Sequence, residues 1–450
     1  MAKPPRSKMS RLARLGGLTS RVSGSYLGQR IKGAFQDEEG RAASMRKTHL
    51  ENAERVVATM GSLKGAAMKV GQSLAQVVEG MDLPPEMASI LSQLNDKAEP
   101  VPFPLIRASV ESELEGTLAE RFAAFDEEPL GTASLAQAHA ARLPDGTPVV
   151  VKVLHEGIED SVGSDLGALK SLLITSRMLK RDRSEIDDIF AELHDRLEEE
   201  LDYYREAANL EEFHRSMAGI NGVSIPKTHP KWCTGRILTM DRLTGRPMTE
   251  FLKIATPEAK TRAGNLLAES FHDMFYRQRA LHADPHAGNY LFRSDGGVGI
   301  LDFGCVKRFD LYWTGQYARM AQAIVDARQA DFYPLARGLE ILGPGTPESE
   351  SVLWRLSQTV CYPLTQSSYR CGTPEDNVMM EVRRQVPGVL RHPNLRSPRE
   401  IVFLHRALGG IYNMLRLLGH EMNYSAMFRR YTDHAIAVAE GRVEDFSPVA

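Results

Sequence analysis

An α+β chain of two lobes, with a helical extension ahead of the first lobe and a second lobe rich in helix, is the fold class that the sequence predicts. Three observations predict it. The first is the segment Leu281 to Gly304, LHADPHAGNYLFRSDGGVGILDFG, in which Asp284 and Asn289 are followed by an Asp302-Phe303-Gly304 triplet. Two short apolar runs (Tyr290 to Phe292, Val298 to Leu301) flank the turn Ser294-Asp295-Gly296-Gly297, which reads as a hairpin. The second is Val149-Val150-Val151-Lys152-Val153, a β-branched strand interrupted by one lysine. The third is helical periodicity over residues 44–80, 105–122, 184–216 and most of the chain after Leu311. An Asp-x-x-x-x-Asn loop, a hairpin and Asp-Phe-Gly downstream of a strand lysine make the pattern protein-kinase-like.

The elements follow in order. Residues 1–43 read as a basic arm, because the first 36 residues hold Lys3, Arg6, Lys8, Arg11, Arg14, Arg21, Arg30 and Lys32 and no acid. Leu12, Leu15, Leu18 and Val22 recur at helix-like intervals beside Arg11, Arg14 and Arg21, although Gly16, Gly17 and Gly24 weaken a helix. Two readings stand: an amphipathic segment peripheral on an anionic membrane, at about 1 kcal/mol per basic residue, or an arm docked on the acidic remainder of the chain. No aromatics interleave the charges, so nucleic acid is not an expected partner. Residues 44–104 form a helical extension carrying Lys69-Val70-Gly71-Gln72, broken at Leu83-Pro84-Pro85-Glu86 and closed by the joint Pro100 to Pro104.

Residues 105–245 make the first lobe. A helix from Leu105 to Phe122 leads into strands Thr132 to Ala141 and Pro148 to Leu154, joined at Leu143-Pro144-Asp145-Gly146. An acidic helix follows from Ser184 to about Ser216. Residues 246–450 make the second lobe, with loops at Gly343 to Glu350 and Leu390 to Arg399. Its late pair His405-Arg406 reads as surface or capping residues, with a ligand-facing role as the alternative.

The spacing has a chemical reason. Asp284 faces the attacking group, while Asn289 and Asp302 return oxygen donors to Mg²⁺. A lysine in an apolar strand needs negative charge, which the α- and β-phosphates of ATP and a carboxylate from the following helix supply. Within Glu198 to Glu206, periodicity alone does not choose that carboxylate. In place of a glycine-rich phosphate loop the chain has Gly131-Thr132-Ala133-Ser134, small residues that still let backbone N–H groups approach phosphate. His282 and His286 offer a rival zinc pair, but Pro285 between them opposes the helix such a pair needs.

Composition agrees with an enzyme. The chain has 450 residues, 42% apolar and 25% charged, enough for a large core and inconsistent with disorder. Cys233, Cys305, Cys361 and Cys371 follow no metal-ligand spacing and read as structural thiols of a reducing compartment. No apolar run is long enough to span a bilayer; Ile401 to Gly419 is interrupted by His405, Arg406 and Arg416. The N-terminus lacks the apolar core of a secretory signal, so the expected location is cytoplasmic, peripheral on the inner face of a membrane at most.

The combination Lys69-x-Gly71-Gln72, the loop through Ser134, Lys152, Glu200-x-Asp202, Glu206, His282-x-Asp284-Pro285-His286-x-Gly288-Asn289 and Asp302-Phe303-Gly304 resembles the UbiB-like (AarF) atypical kinase family. The resemblance extends from the Arg11-to-Lys32 arm to Leu404-His405-Arg406-Ala407-Leu408-Gly409-Gly410. It implies a kinase-like fold in which the Lys69-Gly71-Gln72 helix covers the nucleotide cleft as a gate and obstructs a peptide substrate. It further implies that Lys69 pairs with Glu200 and Asp202, and that Glu206 is the carboxylate for Lys152. Gly131 to Ser134 would then contact ATP and shape nucleotide preference. The activity implied is ATP hydrolysis in isoprenoid-quinone or lipid metabolism, with a lipid or quinone-precursor ligand. Transfer to a protein or small molecule is the alternative, and a nucleotide-sensing scaffold the third. Gly131 and Thr132 replace the alanines usual in the family loop, which leaves ATP against ADP preference open. The terminal transmembrane helices of some bacterial members have no counterpart here.

Overall fold

The computed structural model describes residues 100–159 and 183–445, with scattered helical positions between residues 16 and 59 and between residues 162 and 174. Its contacts fall into two compact units, Met1–Arg205 with Thr228–Arg242, and Glu206–Lys227 with Leu243–Ala450. In the first, helix α1 (Phe103–Glu113) opens after Pro102 with Pro104 in its first turn, where a missing N–H is harmless. It ends where Glu115 adopts a left-handed φ of 53°. Thr117 then caps a separate turn, Leu118–Arg121, its N–H donating to Glu120 Oε2 at 2.8 Å. The single helix expected from Leu105 to Phe122 is therefore two pieces.

Strands β1 (Ala124–Thr132), β2 (Ala136–Arg142), β3 (Pro148–Leu154) and β4 (Ile237–Asp241) form one antiparallel sheet in that order. Val149, Val151 and Val153 bury one face against Ile106 and Val110 of α1 and against Phe122. Burial of each valine contributes about 1.5–3 kcal/mol. Because side chains alternate along a strand, Val150 and Lys152 lie on the other, half-buried face. The strand is apolar as expected, but only its Val149, Val151 and Val153 face is buried, so Lys152 interrupts no buried layer.

Helix α2 (Arg183–Glu200) buries Ile186, Phe190, Leu193 and Leu197 on one face. The acidic helix does not run on unbroken: α3 (Tyr203–Ser216) starts anew, because Asp202 Oδ1 accepts from the N–H groups of Tyr204 (3.0 Å) and Arg205 (3.2 Å) as a helix cap. Near the N-terminus Gly16, Gly17 and Gly24 are helical despite their low propensity, and Leu18 and Val22 are 2% and 0% exposed. Two of the four apolar side chains expected to meet a membrane are thus inside the protein. Ser25 Oγ donates to Asn52 Oδ1 (3.0 Å) and Ser44 Oγ to Gln29 Oε1 (2.9 Å), tying this stretch to the next. Leu12, Leu15, Lys69, Gly71 and Gln72 lie outside the described residues.

In the second unit, Thr256 caps α4 (Pro257–His272), its Oγ1 accepting from Ala259 N at 3.2 Å. Four short strands follow: β5 (Ala280–His282), β6 (Tyr290–Phe292), β7 (Val298–Ile300) and β8 (Val306–Arg308). β6 and β7 form the expected hairpin, turned by Gly296 at φ 84° and by Asp295 Oδ1 accepting from Gly297 N at 2.9 Å. β5 pairs antiparallel with β8, His282 opposite Val306. Among the helices that follow are α5 (Leu311–Val325), α6 (Pro347–Thr365), α7 (Arg399–Leu418) and α8 (Tyr424–Ala439), with shorter helices over Gln329–Gly338 and Val378–Leu390 between them. Ile324, Phe332, Leu353, Trp354 and Ile401 share the unit's helical core. The loop expected over Gly343 to Glu350 is shorter than that, since Thr346 caps α6. Among the described residues no helix is long and apolar enough to cross a membrane.

Candidate active site

Within the first unit, the small-residue loop is a tight reversal between β1 and β2. Gly131 and Thr132 end β1 opposite Ala138 and Gln137, and Ala133 N donates to Ala136 O at 2.8 Å to close the turn around Ser134. His155 N donates to Leu135 O at 2.9 Å, pinning the loop to the end of β3. Lys152 stands mid-strand, between Ala138 of β2 and Leu238 of β4, with its ammonium 5.5 Å from the centre of the Tyr203 ring. That distance is a cation–π contact. Glu200 ends α2 half-buried, while Asp202 is exposed and occupied in capping α3. Any pairing of these two acids with Lys69 falls outside the described residues.

In the second unit the two strand pairs carry both acidic loops. Residues 283–289 run from β5 to β6 and residues 301–305 from β7 to β8, so the pairing of β5 with β8 and of β6 with β7 brings the loops together. Two backbone bonds stitch them: Ala283 N donates to Cys305 O and Leu301 N to Asn289 O, both at 2.9 Å. Asp284, Asn289 and Asp302 are therefore neighbours by construction. Asn289 Nδ2 donates to Asp284 O at 3.2 Å, and Asp302 Oδ1 accepts from Gly304 N at 3.0 Å. Phe303 is buried and stacks on Phe213 of α3 at 4.4 Å, while Asn209 Nδ2 donates to Phe303 O at 2.9 Å. Glu206, on the same helix, is buried and near Gly304: a Cβ added there would meet its Oε2 at 3.7 Å.

The two histidines sit in different surroundings. His282 is buried against Phe303 and Tyr290, and burial lowers its pKa although the Asp302 and Asp284 charges oppose the shift. His286 is exposed, and its Nδ1 accepts from Gly288 N at 3.0 Å. Among the described residues no His, Cys, Asp and Glu cluster suits zinc. A carboxylate at Asp302 and an amide at Asn289 are hard oxygen donors of the number Mg²⁺ takes from protein when phosphate and water supply the rest.

One residue was not assigned to the site from sequence. Arg406 Nη2 donates to Asp284 Oδ1 at 2.8 Å, and the two side chains are 31% and 42% exposed. Arg406 reads as a surface position because an arginine on an amphipathic helix has no periodic signature of a distant partner. Its neighbour His405 is exposed, 3.5 Å from Tyr317 Oη.

Comparison with known proteins bears on the family and the fold. A family model described as the ABC1 atypical kinase-like domain matches residues 93–333. The atypical kinase COQ8, mitochondrial, of Saccharomyces cerevisiae is 27% identical over 439 residues, covering 94% of this chain and 85% of that protein. The atypical kinase COQ8B, mitochondrial, of Rattus norvegicus is 28% identical over 422 residues, covering 91% and 78%. The probable protein kinase UbiB of Pseudomonas aeruginosa is 32% identical over 250 residues, covering 54% and 46%. Among solved structures, one described as the complex of Rv3197 with erythromycin from Mycobacterium tuberculosis aligns with a TM-score of 0.58 at 23% identity, covering 88% of this chain and 98% of that one, a likeness of fold. The family model spans more than half of the sequence and includes the small-residue loop, Lys152 and both acidic loops, so the chain belongs to the ABC1 (UbiB-like, AarF) atypical kinase family and is a kinase-like enzyme that uses ATP.

Proposed function

We propose that the enzyme hydrolyses Mg-ATP and couples turnover to the handling of an isoprenoid-quinone precursor or related lipid. The observation that carries the phosphoryl chemistry is the pair of strand ribbons that fixes Asp284, Asn289 and Asp302 in adjoining loops. In this reading Lys152 neutralises the α- and β-phosphates, and the backbone of Gly131, Thr132, Ala133 and Ser134 approaches them. Asn289 and Asp302 would hold Mg²⁺, which when bound would supply charge neutralisation at the phosphates. Asp284 orients the acceptor, which is water, and Glu206 keeps the buried carboxylate role that the family pattern assigns to it. Phosphoryl transfer asks mainly for positioning and electrostatics, both of which these side chains provide. The lipid assignment rests on the family alone. Among the described residues of the basic arm Arg21 is exposed while Leu18 and Val22 are buried, so contact of Arg21 with an anionic membrane would be electrostatic.

The experiment is phosphate release and ATP-induced thermal shift for Asp302→Asn and Asp284→Asn. Losing Asp302 removes both the shift and turnover; losing Asp284 lowers turnover about 10²-fold or more and leaves the shift. Undiminished turnover in both variants ends the proposal. A second reading, transfer to a protein or small molecule, is favoured by the half-exposed Asp284 carboxylate and by the relatives named as protein kinases. With γ-labelled ATP, label in an acceptor supports transfer and label in inorganic phosphate alone supports hydrolysis.

A further inference from the structure

We infer that Arg406, on α7, is a positioning residue for the reaction: it fixes the Asp284 carboxylate, and Gly410 is the contact that lets α7 come close enough for it to do so. The inference rests on the reading of Asp284 as the residue that orients the acceptor.

Four positions on one stripe of α7 carry it. Glu400 Oε1 pairs with Lys307 Nζ of β8 at 3.2 Å, and the same ammonium lies 5.6 Å from the Phe403 ring. One turn on, Arg406 Nη2 donates to Asp284 Oδ1 at 2.8 Å. A further turn on, α7 crosses the loop itself: a Cβ added at Gly410 would stand 2.5 Å from Pro285 O and 2.8 Å from Pro285 Cγ. Spacings of three and four residues put these positions on one helical face. That face runs from the strand that follows Asp302-Phe303-Gly304 to the loop that holds Asp284. The helix is registered near its N-terminus by an ion pair and at its middle by a backbone contact that tolerates no side chain.

The consequence for Asp284 is geometric. Its backbone is already held, because its carbonyl accepts from His286 N at 2.7 Å and Asn289 Nδ2 at 3.2 Å. The carboxylate is half-exposed, and an exposed carboxylate rotates among rotamers unless something holds it. Arg406 holds Oδ1, which directs Oδ2 to the acceptor. The contact is a single charge-assisted hydrogen bond, so an ammonium could supply its charge and one donor but not the fixed plane of the guanidinium.

The test uses the full chain with Mg-ATP, measuring phosphate release, ATP-induced thermal shift and melting temperature for Asp284→Asn, Arg406→Gln, Arg406→Lys and the Asp284→Asn/Arg406→Gln pair. Arg406→Gln is expected to lower kcat about 10- to 100-fold, the cost of a misplaced reacting group, with KM for ATP and the thermal shift unchanged. Arg406→Lys should recover part of that loss. In the double variant the arginine change should cost nothing beyond Asp284→Asn alone. Full kcat in Arg406→Gln, beside a lost kcat in Asp284→Asn, overturns the inference and leaves the site reading standing. Full turnover in Asp284→Asn instead overturns the reading beneath it. A kcat loss that tracks a lower melting temperature and a lost ATP shift is structural and also overturns the inference. Should Arg406→Gln not fold, Arg406→Lys decides: kcat equal to the parent's overturns it, and a reduced kcat at the parent's melting temperature supports it.

Discussion

Gly264 has no room for a side chain, since a Cβ there would lie 2.2 Å from His420 Cδ2. The ring cannot step aside: its Nδ1 accepts from Tyr424 Oη at 2.7 Å and its Nε2–H donates to Asn265 Oδ1 at 3.0 Å. Gly264→Ala should therefore destabilise the protein by about 1–3 kcal/mol, the usual cost of overpacking. Gly131, where an added Cβ meets nothing within 4 Å, is the control. Gly131→Ala should stay within about 0.5 kcal/mol of the parent, and equal melting temperatures for the two variants would sink the packing argument. The same scale separates what could be read from sequence and what could not. Asp284, Asn289 and Asp302 were legible because a fixed spacing along the chain becomes a fixed spacing across two ribbons. Arg406 was not, because its contact with Asp284 is set by the approach of α7 at Gly410, which leaves no local pattern.

Element boundaries failed where local chemistry overrode periodicity. The helix pattern over Ser184 to Ser216 is continuous in sequence, yet Asp202 captures two backbone N–H groups and restarts the helix there. β1 went unread because AFDEEPLGT is largely exposed, lacks alternation and shifts register on both sides of Pro129. The hairpin β6–β7, by contrast, was legible from its Asp-Gly turn. The anchor of α7 was invisible for a third reason, because its parts lie far apart in sequence. Asp376, whose side chain is 0% exposed, accepts from Gly372 N (2.7 Å), Tyr369 Oη (2.7 Å), Arg416 Nε (3.1 Å) and Tyr412 Oη, so that α7 is clamped through Tyr412 and Arg416. Gly372, at φ 80°, comes so close to α7 that a Cβ would meet Arg416 O at 2.4 Å. Asp376→Ala would strand these donors and should cost about 3–5 kcal/mol. A loss below about 1 kcal/mol in thermal or denaturant melts would show that the clamp carries little of the stability of α7.

For the molecule as a whole, acid sensitivity should come in two separate windows. Burial depresses His272 and His420 to a pKa of about 4 in the folded state, outweighing the acceptors at Ala268 O and Thr261 that would raise them. Arg430 lowers His272 further. Between pH 6.5 and about 4 the unfolded chain therefore binds protons that the folded chain refuses. The stability these histidines allow is complete above pH 6.5 and falls as pH drops through that interval, by up to about 3 kcal/mol for each. Asp376 acts in the lower window. Burial alone would raise its pKa, but the hydrogen bonds from Gly372, Tyr412 and Tyr369 and the charge of Arg416 hold it below its ordinary 3.8. Its contribution is present above pH 3.8 and is lost as pH falls through the depressed value. Denaturant melts from pH 7.5 to 4.5 should show stability falling steadily, and His420→Gln should flatten that fall while lowering the plateau at pH 7.5. Asp376→Asn should lower stability across the range and leave the slope above pH 4.5 intact. A parent curve flat from pH 6.5 to 4.5 would mean that these two imidazoles meet solvent before the fold gives way.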